Sequence, residues 1–159
     1  MPEQVRLWEI TADDKLKPIQ QAKLDIEARI EQWLKNDVSI LSSGLLVVGQ
    51  QVETVAGTLD LLCIDGNGDL VVVEIKRDKT PREVTAQALD YASWVNGLSG
   101  EQIREIANHY LGESGPLEEA FKRKFGGDLE LLNGNHHILI VASRIDDSTE
   151  RIINYLADT

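Results

Sequence analysis

Thr58-Leu59-Asp60-Leu61-Leu62-Cys63-Ile64, Asp65-Gly66-Asn67-Gly68-Asp69 and Leu70-Val71-Val72-Val73-Glu74-Ile75-Lys76 follow one another without a break. The flanks are rich in β-branched and apolar residues and the centre is turn chemistry, so residues 58–76 read as a β-hairpin. With 65–69 as the loop, Ile64 pairs with Leu70, and the same register sets Asp60 opposite Glu74. Directly opposed side chains stand about 4.5–5.5 Å apart at Cβ, where like charges repel. Lys76 lies two residues past Glu74 and projects from the same face. Two carboxylates set against each other in apolar strands call for a cation. Oxygen donors of this kind suit a hard divalent metal, with the lysine beside it.

Outward from the hairpin, the pattern predicts alternating layers. Val5-Arg6-Leu7-Trp8-Glu9-Ile10 reads as a short edge strand, so residues 1–18 form an N-terminal arm or edge strand ahead of one domain over 19–159. Residues 19–35 read as an amphipathic helix with Ile26, Ile30, Trp33 and Leu34 as its apolar stripe. Leu45–Gln51 is a strand. Thr80-Pro81-Arg82-Glu83 is a capping box that opens a second helix, which runs to about Val95 with Val84, Ala88, Tyr91, Ala92 and Val95 on one side. The cationic run from Lys76 to Arg82 then sits at that helix start. Residues 101–111 and 116–124 read as short helices and 148–157 as a last one. The apolar run His137-Ile138-Leu139-Ile140-Val141-Ala142 carries the signature of a buried central strand. The whole order predicts an α/β fold, a mixed central sheet flanked by helices.

Composition narrows the class. The chain has 159 residues, 42% of them hydrophobic, which suits a single domain with its own core. It has no apolar run long enough to span a membrane and no secretory leader pattern, so a cytoplasmic location without membrane contact is expected. The single cysteine, Cys63, lies in an apolar strand and reads as a packed core thiol. A net charge of −11 disfavours broad phosphate binding. The cations are grouped, however, as Lys76-Arg77-Asp78-Lys79-Thr80-Pro81-Arg82 beside the hairpin and as Lys122-Arg123-Lys124 farther on. His136 and His137 are neighbours on a strand and point to opposite faces, so they read as strand-entry residues rather than as joint ligands.

Four elements in order resemble the PD-(D/E)xK nuclease superfamily, the restriction-endonuclease-like fold. They are Glu27-Ala28-Arg29-Ile30-Glu31-Gln32-Trp33-Leu34, then Gly57-Thr58-Leu59-Asp60-Leu61-Leu62, then Val72-Val73-Glu74-Ile75-Lys76-Arg77, and last Gln87-Ala88-Leu89-Asp90-Tyr91. The hairpin elements are similar to the NucS-like branch of that superfamily. No proline precedes Asp60. The resemblance implies in-line hydrolysis of phosphodiester bonds in DNA, with Mg²⁺ as cofactor and Mn²⁺ as substitute, leaving 5′-phosphate and 3′-hydroxyl ends. The sequence leaves the oligomeric state open, although a single active site that must cut both strands favours a homodimer. The chain is expected to be one domain of a longer design.

The same resemblance implies roles. Asp60, Glu74 and the backbone carbonyl of Ile75 hold the metal, and Lys76 orients the attacking water or stabilises charge on the phosphorane. Gln87 and Tyr91, one helical turn apart, position the lysine, a water or a phosphate. Arg77, Lys79, Arg82 and Tyr91 contact nucleic acid. On the first helix, Glu27 falls about 100° from Ile26, at the edge of the apolar stripe, and Glu31 about 140° away, farther toward water. Glu27 is therefore the glutamate expected to reach the metal. The alternative to an endonuclease is a catalytically silent nucleic-acid-binding or assembly module of the same fold. The intact Asp60, Glu74 and Lys76 disfavour it.

Overall fold

A computed structural model provides the fold and describes residues 8–10, 16–18, 27–79 and 83–158. Strands β1 (Trp8–Ile10) and β2 (Leu16–Pro18) pair antiparallel as a two-stranded ribbon. Helix α1 (Glu27–Asn36) precedes three long strands, β3 (Leu45–Thr54), β4 (Gly57–Asp65) and β5 (Leu70–Lys79). Helices α2 (Glu83–Asn96), α3 (Gly100–Leu111) and α4 (Leu117–Phe125) lead to strand β6 (His136–Arg144) and helix α5 (Asp147–Ala157). The sheet order is β3-β4-β5-β6, antiparallel through the first three strands and parallel between β5 and β6. This is the mixed sheet with flanking helices that the sequence order predicts.

The pleat sorts the apolar residues to the two faces. On one face Leu62, Ile64, Leu70 and Val72 join Tyr91, Val95, Ile103, Leu117 and Phe121 under α2, α3 and α4. On the other, Leu61, Cys63, Val71, Val73 and Ile75 pack with Leu34 and Val38. Cys63 is fully buried, and burial pushes its thiol up to about 12, which makes it the core residue the sequence implies. The alternation is interrupted in two of the strands. The β3–β4 register shifts between Val47 and Gly49. Leu59 and Leu62, with two residues between them, share a cluster, so β4 departs from strict alternation there.

Ile64 pairs with Leu70 as expected, and the hydrogen-bonded register runs as far as Leu61 with Val73. Gly68 makes the turn possible. Its φ is +85°, a region L side chains rarely adopt, and an added Cβ would lie 1.8 Å from the Leu131 carbonyl oxygen. Its own carbonyl accepts the Asn133 N–H at 2.8 Å, which ties the turn to the segment before β6.

Three expectations change. The run His137–Ala142 does lie in a strand, but β6 is the outer strand of the four, and its side chains are half-buried or exposed rather than buried. An apolar run suits a strand covered on both faces, but composition alone fixes neither how far the faces are covered nor which edges are paired. Trp33 is 53% exposed, so the α1 stripe keeps Leu34 but not Trp33 against the core; Ile26 lies outside the described residues. Strand β5 continues through Lys79, so Lys76, Arg77 and Lys79 stand on a strand and not at a helix start. Thr80, Pro81 and Arg82 lie outside the described residues, as do the side chains of Arg77 and Lys79.

Gly68→Ala is expected to cost at least about 1–3 kcal/mol, from backbone strain alone and before the clash with Leu131 is counted. Urea unfolding would show it as a lower midpoint at unchanged slope. A wild-type midpoint would mean that the turn relaxes away from the 131–133 segment.

Candidate active site

The site forms where β4 and β5 part company. Beyond Leu61 and Val73 the ladder stops, and the Ile75 N–H donates to Oδ2 of Asp60 at 2.8 Å. A side-chain carboxylate thus takes a backbone donor inside the sheet, a charge-assisted bond stronger than a neutral one. The other Asp60 oxygen, Oδ1, accepts from Nε2 of Gln51 at 3.2 Å. Glu74 is 2% exposed, and its Oε1 lies 2.8 Å from Nζ of Lys76. A carboxylate this buried is costly unless it is paired, and the lysine two residues on supplies the pairing.

Two helices reach this sheet end from opposite faces. From α2, Tyr91 is 1% exposed; its hydroxyl donates to the Thr58 carbonyl at 2.9 Å and accepts from Nε2 of Gln87 at 3.1 Å. Burial raises the Tyr91 pKa, the Gln87 bond opposes this, and Glu74 and Asp60 add to the rise while Lys76 lowers it. Tyr91 is therefore a buried strut that holds β4 two residues before Asp60, and the expected nucleic-acid contact at Tyr91 gives way: a side chain this enclosed does not meet a phosphate. Gln87 and Tyr91 do share a face and act on each other, as their spacing implies.

From α1 comes Glu31, which the helical wheel turns toward water. It is 6% exposed instead. Its Oε1 accepts from Nε2 of Gln50 and its Oε2 from Nε2 of Gln51, both at 2.7 Å. Gln51 thus bridges Glu31 and Asp60 with one amide group. It does so from a left-handed backbone, φ +48°, which is uncommon for a residue with a side chain and costs roughly 1–2 kcal/mol. Neither Gln50 nor Gln51 shows in the sequence pattern as a functional residue. A glutamine pair at a strand edge carries no signature until the helix is docked on it. Glu27 opens α1, but its side chain lies outside the described residues.

A second acidic group lies at the far end of the hairpin. Asp65, Asp69 and His137 bring donor atoms within 4.8 Å of one another. Their bonds are those of a fastened turn: Asp65 Oδ1 accepts from the N–H groups of Asn67 and Asp69 at 2.8 and 3.0 Å, and Asp69 Oδ1 accepts from Asn135 N–H at 2.8 Å. His137 stands 3.9 Å from Asp69. The Lys122–Arg123–Lys124 group closes α4, with Lys122 paired to Asp128 at 3.0 Å and Arg123 bonded to the Ser114 carbonyl.

Comparison with known proteins gives this geometry a family. The model of the endonuclease NucS C-terminal domain matches residues 26–108, just over half of the chain, and spans every element of the site. The chain belongs to the NucS C-terminal domain family. Endonuclease NucS of Sulfolobus acidocaldarius is 27% identical over 152 residues, which cover 95% of this chain and 56% of the relative. A repair endonuclease from Pyrococcus abyssi shares the fold at a TM-score of 0.54 and 14% identity, over 84% of this chain and 44% of that one. The EndoMS–dsDNA complex shares it at the same TM-score and identity, over 87% of this chain and 43% of that one. The chain therefore spans about half the length of the relatives it matches. Among the described residues no helix is long and apolar enough to cross a membrane.

Tyr91→Phe removes the donor to the Thr58 carbonyl and the acceptor of the Gln87 amide, a loss of about 1–3 kcal/mol at neutral pH. The sign with pH follows from the raised pKa. The folded state keeps the phenol protonated, so this contribution is full below the unfolded value near 10 and is lost as pH rises through the higher folded value. Urea unfolding of both proteins from pH 7 to 11 should show the difference shrinking at the alkaline end. A constant difference would separate Tyr91 from the carboxylates.

Proposed function

We propose that the chain is the metal-dependent nuclease domain of a NucS-type endonuclease and that it hydrolyses phosphodiester bonds in DNA. The observation that carries this reading is the buried Glu74–Lys76 pair at 2.8 Å, beside an Asp60 whose oxygens are held by Ile75 and Gln51. Family membership supports it, as does the naming of its relatives as endonucleases and the duplex DNA bound in the EndoMS complex. Residues 19–159 form the catalytic unit, with 1–18 as an arm. A homodimer in the cytoplasm, one site for each DNA strand, completes the reading.

The donor chemistry fits a hard cation. Asp60 and Glu74 offer carboxylate oxygens and Ile75 a carbonyl oxygen, the donor type Mg²⁺ takes, with Mn²⁺ as substitute. Such an ion supplies charge neutralisation at the scissile phosphate and acidifies bound water. The protein's own groups do the rest. Lys76 Nζ, drawn to Glu74 Oε1, stands at the position from which a water is oriented for in-line attack or charge on the phosphorane is met. Gln87 and Tyr91 hold the strand that carries Asp60, and Glu27 lies at the start of the helix that faces the site. Arg77, Lys79 and Arg82 continue the chain directly from Lys76 and take the phosphates on either side.

Two tests apply. Addition of Mn²⁺ at about 100 times its Kd should stabilise the folded chain by about 2.7 kcal/mol. Asp60→Asn should lose that gain. Lys76→Ala should keep it while cutting duplex DNA about 10²–10³-fold more slowly. Indifference of the wild-type melting curve to millimolar divalent ions would sink the metal site. Cutting by the lysine variant at the wild-type rate would remove Lys76 from the chemistry.

The charge distribution makes a separate prediction. On a chain of net charge −11, a short cationic run should give salt-sensitive binding of shallow slope, about −0.9 in log–log terms for each phosphate met on duplex DNA. Replacing Arg77 and Arg82 with Gln should flatten that slope and weaken all sequences alike. The measurement is duplex affinity against salt, with Ca²⁺ in place of Mg²⁺ to suppress cutting. An unchanged slope would move the DNA path to the α4 cations.

A further inference from the structure

Glu31 comes from α1 and Asp60 from β4, and both are carboxylates. Nothing in the backbone obliges them to meet. What brings them together is one amide: Nε2 of Gln51 lies 2.7 Å from Glu31 Oε2 and 3.2 Å from Asp60 Oδ1. An NH₂ group has two hydrogens, so this single nitrogen serves both acceptors. The reverse orientation would set the amide oxygen against two carboxylate oxygens, so the contacts themselves fix which end faces them.

The backbone is bent to make this possible. Gln51 stands in β3 between Gln50, which pairs with Leu61, and Val52, which pairs with Leu59, and so lies across from Asp60, at φ +48°. Strain held at a residue with a side chain persists only where its surroundings enforce it. Here the enforcing contacts are the two carboxylates, one of them buried. Gln50, next in line, takes the remaining Glu31 oxygen at 2.7 Å, so both oxygens of Glu31 are directed. Gln50 and Gln51 also line a cavity of about 850 Å³ between β3 and α3, together with Lys35, His109 and Tyr110. Gln51 is itself exposed, which leaves the Glu31–Asp60 junction open to ions from solution.

We infer that Gln51 is a positioning residue for the cation. Its amide holds the carboxylates of Glu31 and Asp60 on a common point when no ion is there, and so adds Glu31 to the acidic set around Asp60. The inference rests on the metal-dependent reading of the site and deepens it. An amide donor between two carboxylates stands where positive charge is favoured; it lowers their mutual repulsion without filling the place with a fixed cation. Residues that orient a ligand in this way typically change metal affinity about 10–100-fold when removed.

The test is calorimetric titration of the 159-residue chain with Mn²⁺ alone, paired with melting curves with and without the ion. Gln51→Leu should weaken Mn²⁺ binding by about tenfold or more. Gln51→Glu should melt lower than wild type without metal, because three carboxylates then crowd one point, and should gain more than wild type when Mn²⁺ is added. Lowering the pH toward 4 should relieve the metal-free defect of the Glu variant and not that of the Leu variant. A residue that only packs β3 would lower both melting curves alike and leave the affinity unchanged. Mn²⁺ affinity within twofold of wild type in both variants overturns the inference while leaving the metal site intact. No Mn²⁺ binding by the wild type overturns the inference together with the reading beneath it.

Discussion

The bond from the Ile75 N–H to Asp60 Oδ2, 2.8 Å long, is the constraint on which the site depends. A sheet normally spends its N–H groups on the neighbouring strand's carbonyls. Here the ladder between β4 and β5 ends at Leu61 and Val73, and the next inward donor goes to a side chain. A buried N–H must find an acceptor, so the carboxylate is held at the point where the strands separate. The same bond lets β4 leave its regular alternation between Leu59 and Leu62 without orphaning the donor. Glu74, Ile75 and Lys76 follow on β5 with their spacing set by the pleat.

The two faces of the sheet contribute differently. The α2 side supplies rigidity. Tyr91 is enclosed by the core and reaches across to the Thr58 carbonyl, and Gln87 saturates its hydroxyl. The α1 side supplies charge through Glu31, whose two oxygens are held by the amides of the two glutamines of β3. The irregular backbone lies where the two meet. This division makes physical sense: a carboxylate placed in the larger cluster under α2, α3 and α4 would be deprived of polar partners, whereas Glu31 on the α1 side meets two amide donors.

Much of the negative charge elsewhere is structural. Asp37 accepts the Ser39 N–H in the turn after α1, Asp65 and Asp69 fasten the hairpin turn, and Asp146 caps α5 through Ser148 and Thr149. These bonds hold the Asp146 carboxyl well below the usual carboxylate range. Asp65 and Asp69 are taken up by the turn and by the segment before β6, bonding Asn67, Asp69 and Asn135, whereas Asp60 and Glu74 lie where β4 and β5 separate, beside Lys76.

Periodicity made most of the architecture legible. The hairpin register, the helices over α2, α3, α4 and α5, the buried face of α2 and the buried Cys63 all follow from local alternation and turn chemistry, because those depend on neighbours a few residues apart. Asp60, Glu74 and Lys76 are expected as one group because a single hairpin carries all three; in the fold Lys76 meets Glu74, and the N–H of Ile75 between them meets Asp60. Other features needed the assembled structure. Whether β6 is central or outermost depends on what pairs with its far edge, and side-chain composition does not record that. Whether Glu31 faces water depends on how α1 is docked: an angle of about 140° on a helical wheel is measured from the helix's own stripe, not from a carboxylate-binding strand that the helix meets only in the fold. Gln51 had no local signal at all. Its amide is shared between two charged groups that are distant in sequence and meet only in three dimensions, on a left-handed backbone that no local pattern announces.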